Sequence, residues 1–411
     1  MLQRLGTTPA RLRLLTAAAV VLSLGFGATG LLGLLGKAGA LERARAENSS
    51  QTRLQAVRTA LVVADSAAGV DVLLGPQAQR MTPNDFRWAL VPAAVGLVAV
   101  ARADDDVPGL AAADLRLTEY TSQAGAAREL ARLSRPEAAA RLGTASALLR
   151  AEVLPRLERV QGAGAKRLRE DADDSAASTA AVLAGGAVAV VLLIGGQIWL
   201  ARRTRRLVNA GLATGLVLVA ALTVAAVAVT RSSDRQAQEV RAGSFLLAQH
   251  LADARIAAFD ARAVESLGVV QGDVPGAEAT WLDAVTRART ALDRATATGT
   301  PGVADEIDVV RRYLGTYVDV HGRLLEAARS GDRGEARRIA VSPTVEGAPG
   351  SFEDVDTFSA ALLARQAQLA DDGWDRAHEW LVPVAWACLL AGCGAAALAA
   401  GGMAPRLREY L

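Results

Sequence analysis

The sequence predicts an all-α membrane protein with four transmembrane helices and two extracytoplasmic antiparallel four-helix bundles. Three observations lead to this fold class. The hydrophobic content is 51% while aromatic residues make up only 4%, so small and aliphatic residues dominate, which favours helix over sheet. Four long windows contain no charged residue. Basic residues are concentrated in the short segments that flank these windows.

The four uncharged windows are the predicted membrane spans: residues 14–36, 175–201, 207–230 and 380–402. Each is long enough to cross a hydrocarbon core, which needs about 20 residues in a helix. The first window lacks a clear small-residue cleavage site, so we expect an uncleaved anchor. A fifth apolar run, Trp88 to Ala101, is only 14 residues long and contains Pro92. It is predicted to be a buried helix of an outer domain.

The distribution of arginine predicts the orientation of the spans. Segments 1–13, 202–206 and 403–411 together hold nine basic residues and one acidic residue, so we predict two cytoplasmic tails and a cytoplasmic turn. Segment 37–174 holds 19 basic and 18 acidic residues, and segment 231–379 holds 17 and 24. These long segments are predicted to lie outside. The expected location is the cell membrane, with several spans and both termini in the cytoplasm.

Each long segment is predicted to form one helical bundle whose outer helices continue the membrane helices. In the second segment, apolar residues recur at helical spacing in two places: Val240, Leu247, Leu251, Ala254, Ala258 and Ala261, and then Phe352, Val355, Leu362 and Leu369. Breaks rich in Gly, Pro, Ser or Asp are found at 75–83, 104–109, 134–136, 272–276, 299–302 and 342–350. Three loops in each segment predict four helices in each bundle.

One polar stripe in the second segment is a candidate contact site. Arg255, Phe259, Arg262 and Ser266 follow steps of four, three and four, so they share one face of a helix, and Glu265 can pair with Arg262. Burying two guanidinium groups is costly unless they are paired. The stripe is therefore either an internal polar layer that sets helix register, or a contact patch for a partner or an anionic small molecule.

Signatures of catalysis and cofactor binding are not found in the sequence. His250, His321 and His378 have no paired ligand spacing, so we expect histidines on helix surfaces, with a metal site as the alternative. No nucleophile or nucleotide motif stands in a supporting context. No cofactor and no enzymatic activity are predicted. The acidic excess of segment 231–379 would repel nucleic acid.

Several features resemble the GlnX-like membrane proteins of actinobacteria. They are the four spans, the turn formed by Arg202, Arg203, Thr204, Arg205 and Arg206, and the stretches Arg58–Asp65 and Phe259–Leu267. The resemblance implies a membrane protein that senses an extracytoplasmic amino-acid-binding lipoprotein. It also implies that the state of that lipoprotein is passed to the soluble kinase PknG.

The predicted cytoplasmic segments are short, and their length limits the possible functions. About two dozen inner residues leave no room for a catalytic domain. We therefore predict a membrane sensor or signalling adaptor with an outer solute-binding lipoprotein as partner and an inner effector, such as a soluble kinase, recruited by the arginine turn. The turn alternatively only fixes topology. The alternative functions are a scaffold of an envelope complex for secretion or division, and a transporter subunit, against which the uncharged spans argue. Whether the protein forms a homodimer stays open.

Overall fold

The computed structural model describes residues 8–78, 85–103, 107–164, 210–300 and 302–408, together with scattered positions between 166 and 202. The described residues are almost entirely helical and contain no strand, as the composition predicts. Most of the predicted span 175–201 lies outside the described residues, and so do Arg203, Arg205 and Arg206 of the turn.

Eleven helices are described. The first part of the chain forms α1 (Thr8–Leu74), α2 (Asp85–Ala103), α3 (Val107–Leu130) and α4 (Arg135–Leu148), and α4 continues through a π-helical turn, Leu149–Val153, into helical residues 154–164. The second part forms α5 (Ala210–Val240), α6 (Leu246–Gln271), α7 (Val274–Ala297), α8 (Ala304–Arg329), α9 (Arg333–Val341), α10 (Ala348–His378) and α11 (Leu381–Arg408). A π-helical turn, Arg241–Phe245, joins α5 to α6.

Three stretches of continuous or nearly continuous helix are long and apolar enough to cross a membrane: Thr16–Gln77, Ala213–Gln271 and Ala348–Gly402. They contain most of three of the four predicted windows, 14–36, 207–230 and 380–402. Each stretch is far longer than the roughly 20 residues a span requires. Each therefore extends its apolar window into a second, more polar length of helix.

The chain divides into two units. One, which we call the apolar unit, contains Met1–Arg45, Leu168–Gln238 and Asp372–Leu411. Its helices approach closely at glycines: a Cβ on Gly27 of α1 would lie 3.3 Å from the Cα of Gly392 in α11. Where two apolar windows end, the buried Lys37 pairs with Asp234 (Nζ–Oδ1 2.7 Å) and donates to the carbonyl of Thr230. That ion pair ties α1 to α5.

The other unit, which we call the polar unit, contains Ala46–Arg167, its first half, and Glu239–Asp371, its second half. The two long segments that the sequence suggests as separate bundles thus pack into one unit. Gln55 of the first half, for example, donates to the backbone oxygen of Gln249 in the second (2.9 Å).

The described residues confirm the expected breaks near 134–136, 272–276, 299–302 and 342–350 and most of the expected helix faces, whereas residues 79–83 and 104–106 of the other two breaks lie outside the described part of the chain. All six residues of the periodic run from Val240 to Ala261 are buried, as are Phe352, Val355 and Leu362 of the second run. Leu369, the last residue of the second run, is 42% exposed. The second segment also has a break that was not predicted. Gly331, at φ 81°, follows the end of α8, and Asp332 caps α9 by accepting a hydrogen bond from the backbone N–H of Glu335 (2.9 Å).

Helix α2 is the apolar run around Pro92, and it differs from the expected buried helix. Phe86 and Val100 are buried against the core of the first half. Trp88 and Val95, however, lie on the opposite face and are 68% and 64% exposed. Apolar composition predicted the helix correctly but not its burial, because α2 packs on one side only.

Candidate functional site

The predicted polar stripe of α6 lies inside the second half of the polar unit. Arg262, Glu265 and Ser266 are buried, with Glu265 1% exposed. Arg262 donates to Glu265 and, through Nη2, to the carbonyl of Ala340 in α9 (3.2 Å). Ser266 Oγ donates to the backbone oxygen of Arg262 (2.9 Å). Both terminal nitrogens of Arg262 therefore have hydrogen-bond acceptors within the protein.

The other two stripe residues also have internal partners. Arg255 pairs with Asp356 of α10, with a distance of 3.0 Å from Nε to Oδ1. Its guanidinium lies over the ring of Phe259, 5.5 Å from the centroid, and Phe259 packs edge-to-face against Phe352 at 4.8 Å. These contacts support the internal polar layer over an exposed contact patch. Partner contact through the stripe stays a prediction.

A buried histidine continues the layer from α6 to α7 and α8. His321 Nδ1 lies 2.7 Å from Oε2 of Glu265, and His321 Nε2 lies 3.0 Å from Oε2 of Glu278. The indole of Trp281 stacks on the imidazole at 3.6 Å, and its Nε1 donates to the hydroxyl of Tyr317 (3.2 Å). The expectation that His321 lies on a helix surface is wrong, because its ring is enclosed by these groups.

The two carboxylates favour the charged form of the histidine. Burial opposes protonation of His321, but the hydrogen bonds and charges of Glu265 and Glu278 outweigh it and raise the pKa of the imidazole. Burial likewise opposes ionisation of Glu265, but Arg262 and His321 outweigh it, so the pKa of this carboxyl is lowered. Because the two glutamates lie at opposite ring nitrogens, they cannot converge on one ion. No group suited to a metal ion occurs among the described residues.

A second buried carboxylate, Asp65, lies in the first half of the polar unit. Its Oδ1 accepts hydrogen bonds from Ser146 (2.6 Å) and Tyr120 (3.3 Å), and its Oδ2 lies 3.1 Å from Arg150 Nη2. Burial raises the pKa of Asp65, although Arg150, Ser146 and Tyr120 act in the opposite direction. The charge of Asp65 is therefore less well stabilised than that of Glu265.

Arg150 connects Asp65 to the second half of the polar unit. Its Nε donates to Oδ1 of Asp260 in α6 (2.6 Å), and Oδ2 of Asp260 accepts from Arg287 of α7 (2.7 Å). Arg287 also reaches Asp283 (3.0 Å). We call the series Asp65, Arg150, Asp260, Arg287 the ion-pair chain. It joins the two stretches on which the family resemblance depends, since Asp65 ends one and Asp260 lies in the other.

Several residues of these clusters were not predicted. Asp260 lies within the Phe259–Leu267 stretch but not on the helix face that carries Arg255 and Ser266, so the predicted stripe did not include it. Arg150, Glu278 and His321 carry no local signal: Arg150 and Asp260 are 110 positions apart, and Glu278 and His321 are 43 apart. Among the four arginines of the predicted turn, only Arg202 belongs to the described residues.

Comparison with known proteins gives one result. Residues 40–173 match the family model of an actinobacterial sensor domain, which supports an actinobacterial sensor protein. The matched range coincides closely with the predicted outer segment 37–174 and contains both Asp65 and Arg150. No curated protein and no solved structure matches the chain.

Proposed function

We propose that this chain is a non-catalytic sensor or signalling adaptor of the cell membrane. In this proposal four spans cross the membrane, the polar unit lies outside the cell and both termini lie inside. The polar unit detects a ligand or a solute-binding lipoprotein. The arginine turn 202–206 then contacts a cytosolic effector, for which a soluble kinase is the candidate.

The single observation that carries the proposal is helix continuity. The sensor-domain match includes the polar part of α1, and α1 runs from Thr8 to Leu74 without interruption. A helix that contributes to both units can transmit a small shift or rotation from one to the other. The ion-pair chain supports the same interpretation. It connects the matched segment to α6, and α6 belongs to the helical stretch Ala213–Gln271, which also includes an apolar window.

Topology is tested first, by cysteine labelling of the full-length protein in intact cells. Cys388 and Cys393 are replaced by alanine, and Thr204→Cys or Thr316→Cys is introduced. Thr316 is exposed on α8. A membrane-impermeant maleimide is expected to label the Thr316 variant on intact cells and the Thr204 variant only after permeabilisation. Labelling of the Thr204 variant from outside would contradict the proposed orientation.

Signalling is tested next, by replacing Arg202, Arg203, Arg205 and Arg206 with glutamine after topology has been checked. Loss of effector output is expected because the guanidinium groups are the proposed contact. Unchanged output would favour a turn that only fixes orientation. Ligand-independent co-purification with cell-wall, secretion or division proteins would favour the scaffold.

A further inference from the structure

One pocket of the polar unit contains residues of both halves. Its volume is about 450 Å³, within the range of roughly 300–1,000 Å³ that is typical of small-molecule sites. At this pocket α1, α6 and α8 end, and α4, α7 and α9 begin. The first half contributes Leu73 and Arg135, and the second half contributes the residues around the α6–α7 turn and the start of α9.

The pocket combines apolar walls with three guanidinium groups. Val269, Val270, Val274, Ala328 and Ala336 supply apolar surface together with Leu73. Arg135, Arg333 and Arg337 supply positive charge, and none of the described lining residues is acidic. Such a surface suits a ligand with a short aliphatic part and an anionic group.

The charge of these arginines is not balanced within the described part of the chain. None of the three forms an ion pair with a described carboxylate. Arg333 is exposed, but Arg135 and Arg337 are half-buried, and most other half-buried or buried arginines of the polar unit do form such pairs. Helix termini do not supply the missing charge: three helices end here and three begin, so their partial charges of about half a unit approximately cancel. Burial, and then the charge of Arg135, lower the pKa of Arg337.

A purely structural role accounts for only part of the arrangement. Arg337 Nη2 donates to the carbonyl of Leu73 (3.4 Å), so it caps the end of α1. Gly75 has φ 61°, and a Cβ there would lie 3.1 Å from Nε of Arg135, so this glycine leaves room for that guanidinium. A guanidinium has five N–H donors. A single backbone bond from Arg337 leaves most donors of the cluster available.

We propose that this pocket binds a small organic anion, which carries a carboxylate or phosphate group and a short aliphatic part. The anionic group lies among Arg135, Arg333 and Arg337, and the aliphatic part packs on the valines of the α6–α7 turn. Because the ligand contacts both halves of the polar unit, its binding stabilises their association. The significance of this site for signalling rests on the proposed sensor function, but the binding itself does not.

The test is isothermal titration of the full-length protein in detergent with three matched probes: butyrate, butyl phosphate and neutral butyramide. We expect saturable binding of at least one anion, no binding of butyramide, and the preferred anion to identify the ligand chemistry. Removing one charged donor with Arg333→Gln should weaken binding about tenfold. Arg312→Gln is the matched control, since Arg312 is exposed on α8 and does not line the pocket.

Two results would overturn the proposal. One is the absence of saturable binding of both anions to the wild-type protein. That result is expected if the natural occupant of the pocket is an acidic segment of a partner protein instead of a small anion. The other is unchanged affinity in the double variant Arg135→Gln/Arg333→Gln, or in Arg333→Gln alone if the double variant does not fold. Failure of the sensor function is a separate result: the anion binds with the expected arginine dependence, but effector output does not change when it is added.

Discussion

Glu265 in the second half of the polar unit and Asp65 in the first are both buried, but they are neutralised differently. Glu265 in the second half is held by Arg262, three positions before it on the same helix, and by His321, also in that half. Asp65 in the first half depends on Arg150, and Arg150 is shared with Asp260 of the second half. The pKa of Glu265 is lowered while burial raises that of Asp65. We infer that Glu265 is neutralised entirely within its own half, as is Asp71 of the first half by Arg128, whereas Asp65 depends on an arginine shared between the halves.

The apolar cores differ in the same sense. The core of the second half contains the packed rings of Phe259, Trp281, Tyr317 and Phe352. The core of the first half is rich in alanine, and its buried aromatic residues in the described part of the chain are Phe86 and Tyr120. Small side chains lose less packing when helices shift than large interlocked rings do. The first half, which contains most of the sensor-domain match, is thus the part better suited to change its arrangement.

The largest expected effect is the loss of stability in Glu265→Ala. Removing this carboxylate leaves Arg262 buried without its partner, which typically costs about 3–5 kcal/mol. Glu335→Ala is the matched control, because Glu335 also forms an ion pair with an arginine three positions away, Arg338, but on an exposed surface. Thermal unfolding of the full-length protein in detergent is the measurement. Equal losses in both variants would show that the buried pair of Glu265 and Arg262 contributes no more stability than an exposed pair.

The next effect concerns the ion-pair chain between the halves. Asp260→Ala removes charged hydrogen bonds to Arg150 and Arg287, and we expect a loss of about 2–3 kcal/mol. Asp283→Ala removes only the exposed second partner of Arg287 and should have little effect. The same unfolding assay distinguishes the two. A loss of stability in Asp283→Ala as large as in Asp260→Ala would show that the ion-pair chain does not join the two halves.

A pair of isosteric substitutions compares the two buried charges directly. Glu265→Gln removes a charge that its surroundings favour, whereas Asp65→Asn removes one that burial disfavours. We expect Glu265→Gln to cost at least about 1 kcal/mol more than Asp65→Asn. The comparison uses unfolding midpoints at neutral pH. A larger cost for Asp65→Asn would contradict the proposed difference between the halves.

The smallest expected effect is a pH-dependent one from His321→Gln. The groups facing the ring are Glu265 of α6 and Glu278 with Trp281 of α7, and Arg262 lies beyond Glu265. Since the folded pKa is raised above 6.5, the histidine contributes full stability below that pH and loses it as the pH rises through the folded pKa. We expect the variant to lose about 1 kcal/mol, mainly on the acid side. A loss that is the same at all pH values would show that the ring is neutral.

Much of the fold could be predicted from the sequence. Uncharged windows and helical periodicity located three apolar stretches and the buried face from Val240 to Ala261, because these signals depend on neighbours within a few turns. Glycine and proline located most of the loops. The short helix α9 was missed although Ser330, Gly331 and Asp332 are typical break and cap residues. Burial of α2 was overestimated, since apolar content does not specify how many sides are covered.

The candidate sites were less predictable. Spacing within α6 correctly suggested that Glu265 pairs with Arg262, a local contact. It could not suggest His321 or Arg150, because their partners come from helices far along the chain. The packing of the two halves into one unit depends on the same long-range contacts. A pattern along one helix reveals which charges need a partner, whereas only the tertiary structure identifies that partner.

The central claim is that the two halves are joined through Arg150 and Asp260. A double-mutant cycle in the full-length protein, with Arg150→Ala, Asp260→Ala and the combined variant, measures this coupling most directly. The structure predicts a coupling free energy of roughly 1–3 kcal/mol, as expected for residues in one ion-pair network. Effects that add to within about 0.5 kcal/mol would contradict the claim.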